Sequence, residues 1–271
     1  MKSIHKLLFL LVILWSCQAE SQTESGDILL TNVKIIDVRS GDILESKNLL
    51  ISEGKITKIL IDSRNVTADQ VIEGEGRYVL PGLAEMHAHI PSPQWGRDNT
   101  EETLFLYLSQ GITTIRGMLG HPTHLELREK ALKDEILSPR IFTSSPSVNG
   151  NSVNTKEEAR TKVAQYQEAG YDFLKLHPGL QREVFDEIVK VANEVSIPYA
   201  GHVSTDVGIR RAIESGYASV DHIDGFLEGL VPEAANVDPA QNGFFGFSFT
   251  ELADEGLMAE LVQFSQHLYL Y

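Results

Sequence analysis

The sequence predicts an α/β protein: an incomplete (β/α)8 TIM-like barrel of about six strand–helix units, preceded by part of a small β-sandwich domain. Short segments of alternating hydrophobicity, separated by turn residues, precede residue 81. After it, apolar segments alternate repeatedly with amphipathic helical patterns. Polar side chains, several of them histidines, follow these apolar segments. We therefore expect a leader and tether in residues 1–26, the β-domain in 27–80 and the barrel in 81–271.

The N-terminal residues have the layout of an export signal. Lys2 and Lys6 precede the apolar run 7–15, which is too short to span a bilayer as a stable helix. The run is followed by Cys17, in a context that resembles a bacterial lipobox, whose cysteine becomes the lipidated N terminus. We expect an exported protein, periplasmic or membrane-anchored as a bacterial lipoprotein, and otherwise secreted.

Composition excludes several classes of partner and site. The 271 residues include 23 Lys and Arg against 38 Asp and Glu, a net charge of −15, which disfavours nucleic acid and anionic lipid surfaces. Membrane contact is expected only through a lipid anchor. Because Cys17 is the single cysteine, no internal disulfide and no thiolate metal site can form. Any metal must be held by nitrogen and oxygen.

Hydrophobic periodicity and turn residues predict the elements of both domains. The strands expected in the β-domain are 28–38, 48–52, 55–61 and 70–80. The strands expected in the barrel, after the one that carries His87, are 112–119, 140–147, 172–177, 197–202 and 219–224. The expected helices are 101–110, 124–133, 156–169, 182–195, 206–215 and 251–263. Alternating strands and helices predict a parallel sheet, for which an open doubly wound sheet is the alternative to a barrel.

Candidate metal ligands follow the predicted barrel strands. His87 and His89 are two residues apart on a strand, so their imidazoles point to one side. The carboxyl ends of parallel barrel strands open onto one face, where Lys175, His202 and His222 would join them. Taken singly, His202 or His222 is more readily explained as a hydrogen-bonded core residue, but their joint placement favours a metal site.

Lys175 lies within a hydrophobic strand segment, where a charged ammonium is costly to bury. Burial lowers the pKa of a lysine, and the neutral amine can capture carbon dioxide as a carbamate whose two oxygens bridge two cations. The alternative is a side chain that extends from the strand end to solvent.

Four motifs together resemble the amidohydrolase superfamily of metal-dependent hydrolases. They occur in the family's order at 78–89, around Lys175, at 201–203 and at 221–225. The imidazolonepropionase-like and Xaa-Pro-type dipeptidase branch is the most similar. The resemblance implies that one metal ion is bound by His87 and His89, a second by His202 and His222, and that a carbamate on Lys175 bridges them. Zinc is expected first, with other divalent metals such as manganese, iron or cobalt as alternatives.

The resemblance also implies an activity. A metal-activated water would attack the C–N bond of an amide, a cyclic amide or a dipeptide, so the expected partner is a small-molecule or dipeptide substrate. His222 would help to stabilise the oxyanion as a catalytic residue. His177 shares the face of Lys175, and Arg116 lies on the second barrel strand, so both are candidates for substrate contact.

One departure from the family pattern favours an alternative. The family carries a metal-binding aspartate at the end of the eighth strand, whereas this sequence reaches Tyr271 about where a seventh strand would start. Asp221, Asp224 and Asp238 are candidates for its role by residue type only. We therefore expect a truncated chain, and the alternative function is an inactive fragment that binds metal weakly or serves as a scaffold.

Overall fold

A computed structural model describes residues 23–93, 99–232, 235 and 251–268. The chain divides into two compact units between Pro81 and Gly82. The leader and Cys17 lie outside the described residues, so export and lipidation stay predictions. Within the described ranges, no helix is long and apolar enough to cross a bilayer.

The first unit is a five-stranded mixed sheet. Its strands are β1 (Glu24–Ile36), β2 (Ile43–Ser52), β3 (Lys55–Leu60), β4 (Val66–Glu73) and β5 (Tyr78–Val79). The order is β3-β2-β1-β4, with β5 also paired to β1. β2 is antiparallel to β1 and β3, whereas β4 and β5 run parallel to β1. The buried core of this sheet is formed by Leu29, Val33, Leu49 and Leu50.

The prediction of one strand over 70–80 is wrong. β4 starts earlier and ends at Glu73, and a turn separates it from β5. In that turn Glu75 and Gly76 take positive φ angles of 53° and 73°, a conformation that no regular strand can contain. The turn residues therefore interrupt the strand, although the alternating hydrophobicity of the sequence continues through them.

The second unit alternates parallel strands with helices. Its strands are β6 (Leu83–Ala88), β7 (Ile112–Gly117), β8 (Arg140–Thr143), β9 (Leu174–Leu176) and β10 (Tyr199–Gly201). Its helices are α1 (Thr100–Ser109), α2 (Pro122–Leu132), α3 (Lys156–Glu168), α4 (Arg182–Glu194), α5 (Ile209–Glu214) and α6 (Met258–Leu268). The result is a mixed α/β fold consistent with part of a barrel.

Strand pairing in the second unit follows chain order. β6, β7 and β8 form one parallel sheet and β9 pairs with β10 in another, while single bridges join Ser144 to Phe173 and Gly201 to Val220. This order does not reverse, as a doubly wound sheet would require at its switch point. The described strands therefore favour the barrel over the doubly wound alternative.

The last predicted strand is shorter than expected. Of the expected strand 219–224, only Val220 pairs, because the chain leaves the extended conformation at His222 and Ile223, which have φ angles of 54° and 57°.

The last two predicted helices start later than expected. α5 begins after Gly208, which has a φ of 74°, and α6 begins at Met258.

Local sequence explains where the main helices begin and which face they bury. α3 starts with a capping box, in which the Thr155 hydroxyl accepts the amide hydrogen of Glu158 and the Glu158 carboxylate accepts that of Thr155. α4 buries an apolar stripe at helical spacing that includes Val184, Ile188 and Val191. These side chains belong to the largest core cluster, which also contains residues of β9 and β10.

We predict that Phe185→Ala lowers the free energy of unfolding by about 3–5 kcal/mol, because it removes a nearly fully buried aromatic side chain from that cluster. Urea unfolding followed by circular dichroism measures the change. Phe105→Ala is the matched control, since Phe105 of α1 is 50% exposed. An equal loss in both variants would contradict this assignment of the core.

Candidate functional site

Five histidines form a continuous cluster where the parallel strands of the second unit end. Ring centroids are 5.2 Å apart for His87 and His89, 4.6 Å for His87 and His222, and 5.1 Å for His202 and His222. His177 stacks on His202 at 5.0 Å. Four different strand ends contribute these rings, so their proximity arises from the parallel sheet and not from one local motif. All four predicted histidine ligands are brought together.

Lys175 lies beneath this cluster in the centre of β9. Its side chain is 1% exposed and forms an ion pair with Asp221, which is itself 5% exposed. Burial lowers the pKa of Lys175, and the hydrogen bond and charge of Asp221 oppose that shift. The predicted alternative, a lysine that reaches solvent, is wrong for this structure.

Asp221 links the lysine to the histidines. Its Oδ2 atom lies 3.7 Å from Nδ1 of His87. One donor atom from each of His87, Asp221 and His222 lies within 4.8 Å of the others, a spacing that could hold a metal ion. Sequence reasoning considered Asp221 only by residue type and missed this arrangement. The signal was its position next to His222.

A second buried carboxylate orients His202. Oδ2 of Asp224 lies 2.6 Å from Nδ1 of His202, and Asp224 is 5% exposed. If the shared proton is assigned to Nδ1, the lone pair of the ring is on Nε2, the usual arrangement of a carboxylate-supported histidine ligand. The hydroxyl of Tyr217 donates a 2.8 Å hydrogen bond to the carbonyl of His202 and fixes its backbone.

Burial keeps three of the rings neutral. It lowers the pKa of His87 and His89, and it lowers that of His177 to about 4, with the nearby Lys175 adding to the effect in each case. Neutral imidazole is the form that binds metal. Nδ1 of His177 is also buried and has no hydrogen-bond partner among the described residues. This nitrogen is therefore available to hydrogen-bond a group outside the described residues.

The described contacts of Arg116 are with Phe173 and Ser219 and not with the histidines of the cluster. Its guanidinium stacks over the ring of Phe173, 4.4 Å from the centroid, and donates a 2.9 Å hydrogen bond to Ser219. It lines a largely apolar cavity of about 560 Å³ that also includes Met86, Thr114 and Phe142. The predicted contact of Arg116 with substrate therefore stays a prediction. Asp238 lies outside the described residues.

Comparison with known proteins decides the family. The model of the amidohydrolase family matches residues 78–262. The chain belongs to the amidohydrolase family. The resemblance predicted from the four motifs is therefore confirmed, and it extends over both the end of the β-domain and most of the barrel domain.

Individual relatives cover only parts of the chain. An adenine deaminase from Ruegeria sp. (strain TM1040) is 29% identical over 131 residues, which is 45% of this chain and 21% of the deaminase. A dihydroorotase from Bacillus cereus (strain G9842) is 35% identical over 97 residues, 32% of this chain and 22% of the enzyme. A solved structure of a Xaa-Pro dipeptidase with bound methionine has a TM-score of 0.63 and 17% identity, covering 89% of this chain and 74% of that one.

The chain spans about a fifth of the length of the two curated relatives. The identity to the dipeptidase is low enough that the likeness shows the fold alone. The family relationship supports hydrolysis of C–N bonds with a divalent metal, which is general to the family.

We predict that Asp224→Asn weakens zinc binding about 10–100-fold, because the neutral amide holds the His202 ring less firmly than a carboxylate does. Competition with a chromogenic chelator measures the affinity. Asp206→Asn is the control, since Asp206 accepts the amide hydrogen of Arg182 on the surface. Wild-type affinity in the Asp224 variant would refute the orienting role.

Proposed function

We propose that this chain carries the metal centre of a hydrolase that cleaves a C–N bond with a metal-activated water. The observation that supports it most is the convergence of His87, His89, His202 and His222 above the buried Lys175. A fold that only needed a stable core would not gather so many polar rings over one buried amine.

The donor set fits a divalent metal, since donor atoms of His87, Asp221 and His222 lie within 4.8 Å of one another. We propose two ions, of which His87 and His89 would hold one and His202 and His222 the other, with a carbamate on Lys175 as a ligand that both would share. Nitrogen and oxygen donors suit zinc first, with manganese, iron and cobalt as alternatives. When bound, the ions supply Lewis acidity and lower the pKa of a water. A carbamate forms only from the neutral amine, so the Lys175–Asp221 ion pair must open when it forms.

The chain's own residues orient and complement this centre. Asp224 holds the ring of His202 in one orientation. His222, exposed at the mouth of the site, can donate a hydrogen bond to the oxyanion that develops on a carbonyl. His177, stacked on His202, is proposed to contact the substrate from one side, and Arg116 is proposed to contact it from the cavity.

The proposed substrate is a small amide, cyclic amide or dipeptide. The Xaa-Pro dipeptidase fold and the dihydroorotase relative support a peptide or cyclic-amide bond. The adenine deaminase relative supports a different C–N bond, that of an exocyclic amine, so adenine belongs in the same substrate screen.

A second candidate function is metal binding without turnover. It is favoured by one observation: both buried aspartates of the described site are engaged, Asp221 with Lys175 and Asp224 with His202. A general base must be able to reach the attacking water and accept its proton. In this alternative the chain binds metal weakly or serves as a scaffold.

Three further parts of the proposal, on export and on the architecture of each unit, rest on the sequence pattern. The residues before β1 act as an export leader and tether with Cys17 as the lipidation site, and the protein is periplasmic, membrane-anchored or otherwise secreted. The β-domain is half of a sandwich, and the strands of the second unit are part of a (β/α)8 barrel.

We expect the purified chain, treated with chelator and reloaded with zinc and bicarbonate, to bind two equivalents of metal. His87→Ala and Lys175→Ala should each lose at least one equivalent, because the first removes a proposed ligand and the second removes the proposed carbamate. Elemental analysis after desalting measures this, with His121→Ala as the control, since His121 caps α2. Two equivalents retained in both site variants would defeat the ligand assignment.

The same preparations separate the two candidate functions. Dipeptides, cyclic amides and adenine are incubated with the zinc-loaded chain, and released products are quantified. Metal-dependent turnover that disappears in His87→Ala supports the hydrolase. Metal binding with no turnover of any of these compounds supports the non-catalytic alternative for this chain.

A further inference from the structure

The strand that carries His87 and His89 contains an irregularity just before them. Glu85 pairs with Ile115 of β7, and Ala88 pairs with Gly117, so three steps along β6 match two steps along β7. One extra residue is therefore inserted in β6. Such bulges are rare in parallel sheets, and they redirect the side chains that follow.

The bulge changes which side of the strand each residue faces. Ala88 is fully buried in the outer cluster that also contains Ile115 and Ile141. Glu85, as the partner of Ile115, faces this outer side as well. In a regular strand Glu85 and His87 would share a face, because side chains alternate with a period of two. Instead, His87 faces the opposite side and meets His222.

A carboxylate on the outer side holds the backbone of this segment, and a phenol lies near it. Oε1 of Glu85 accepts the amide hydrogen of His87 at 2.7 Å. Burial and the charge of Glu85 raise the pKa of the Tyr107 phenol, on α1, and the backbone of His89 opposes that shift, so this phenol lies near both residues. The extra residue of a bulge lacks a regular ladder partner, so an amide there needs another acceptor.

We propose that Glu85 is a positioning residue for the metal centre: by accepting the amide hydrogen of His87, its carboxylate holds the bulge that turns His87 and His89 toward the other histidines. A hydrogen bond to a carboxylate is stronger than one between neutral groups, which suits it to holding an irregular strand. This inference rests on the proposed function for its consequence, but its geometry does not depend on a bound metal.

Three substitutions test the role. Glu85→Ala removes the acceptor, and we expect it to weaken cobalt and zinc binding about 10–100-fold and to alter the visible spectrum of the cobalt-loaded protein. Glu85→Gln keeps an amide oxygen and should have an intermediate effect. Glu85→Asp should restore both properties, because an aspartate also accepts the amide hydrogen two residues further on.

The control removes an equivalent bond far from the site. The Glu158 carboxylate accepts the amide hydrogens of Asn154 and Thr155 at the start of α3. Glu158→Ala should lower the unfolding temperature but leave the cobalt spectrum unchanged. A positioning role is thereby separated from a general loss of stability.

A readout without metal separates this inference from the proposed function. Hydrogen exchange of the peptide that contains His87 should be faster in Glu85→Ala than in wild type, and slow again in Glu85→Asp. Wild-type exchange and a wild-type cobalt spectrum in Glu85→Ala would overturn the inference. If Glu85→Ala does not fold, an Asp variant whose spectrum still departs from wild type overturns it. Failure of the wild-type chain to bind metal would overturn only the proposed function.

Discussion

The buried ion pair between Lys175 and Asp221 is the interaction on which the site depends. An ammonium that is 1% exposed cannot be accommodated without an anionic partner, and Asp221 is that partner. Because Lys175 is on β9 and Asp221 follows the bridge at Val220, the pair connects two barrel strands across the intervening β10. Removing one member of such a pair leaves an uncompensated buried charge and typically costs about 3–5 kcal/mol.

Because of the backbone conformation after Val220, three side chains that are close in the sequence contact three different partners. Asp221 contacts Lys175, His222 contacts His87, and Asp224 contacts His202. A regular strand would send His222 and Asp224 to the same face. The left-handed conformations of His222 and Ile223 break that alternation, and for a β-branched residue such a conformation costs on the order of 1–3 kcal/mol. Strain of this kind is commonly found at functional sites.

Regular periodicity made much of the fold predictable from sequence. Helices α3 and α4 begin at the predicted residues and end one residue early, because a capping residue and an apolar stripe define them locally. The cluster of histidines was predictable for a different reason, since parallel strands bring their carboxyl ends to one face.

Features that interrupt a regular hydrophobic pattern could not be predicted from the sequence. The turn at Glu75 and Gly76 and the end of pairing after Val220 both interrupt an alternating pattern that continues in the sequence. The bulge before His87 could not be predicted from the sequence either, because regular alternation would place Glu85 on the same face of β6 as His87. The contacts of Asp221 with Lys175 and His87, and that of Asp224 with His202, join residues far apart in the sequence, which no local pattern encodes.

The charges beneath the histidines bear on how the centre could accept metal. Lys175 and the nearby Arg116 carry positive charge, and Asp221 and Asp224 carry negative charge, so the described groups are close to balance. Adding divalent cations to this buried site would introduce unbalanced positive charge at a high free-energy cost. Conversion of the Lys175 ammonium to a carbamate changes its charge from positive to negative, which offsets one divalent ion. The proposed carbamate therefore serves charge balance as well as bridging, and the same change frees Asp221 from its ion pair.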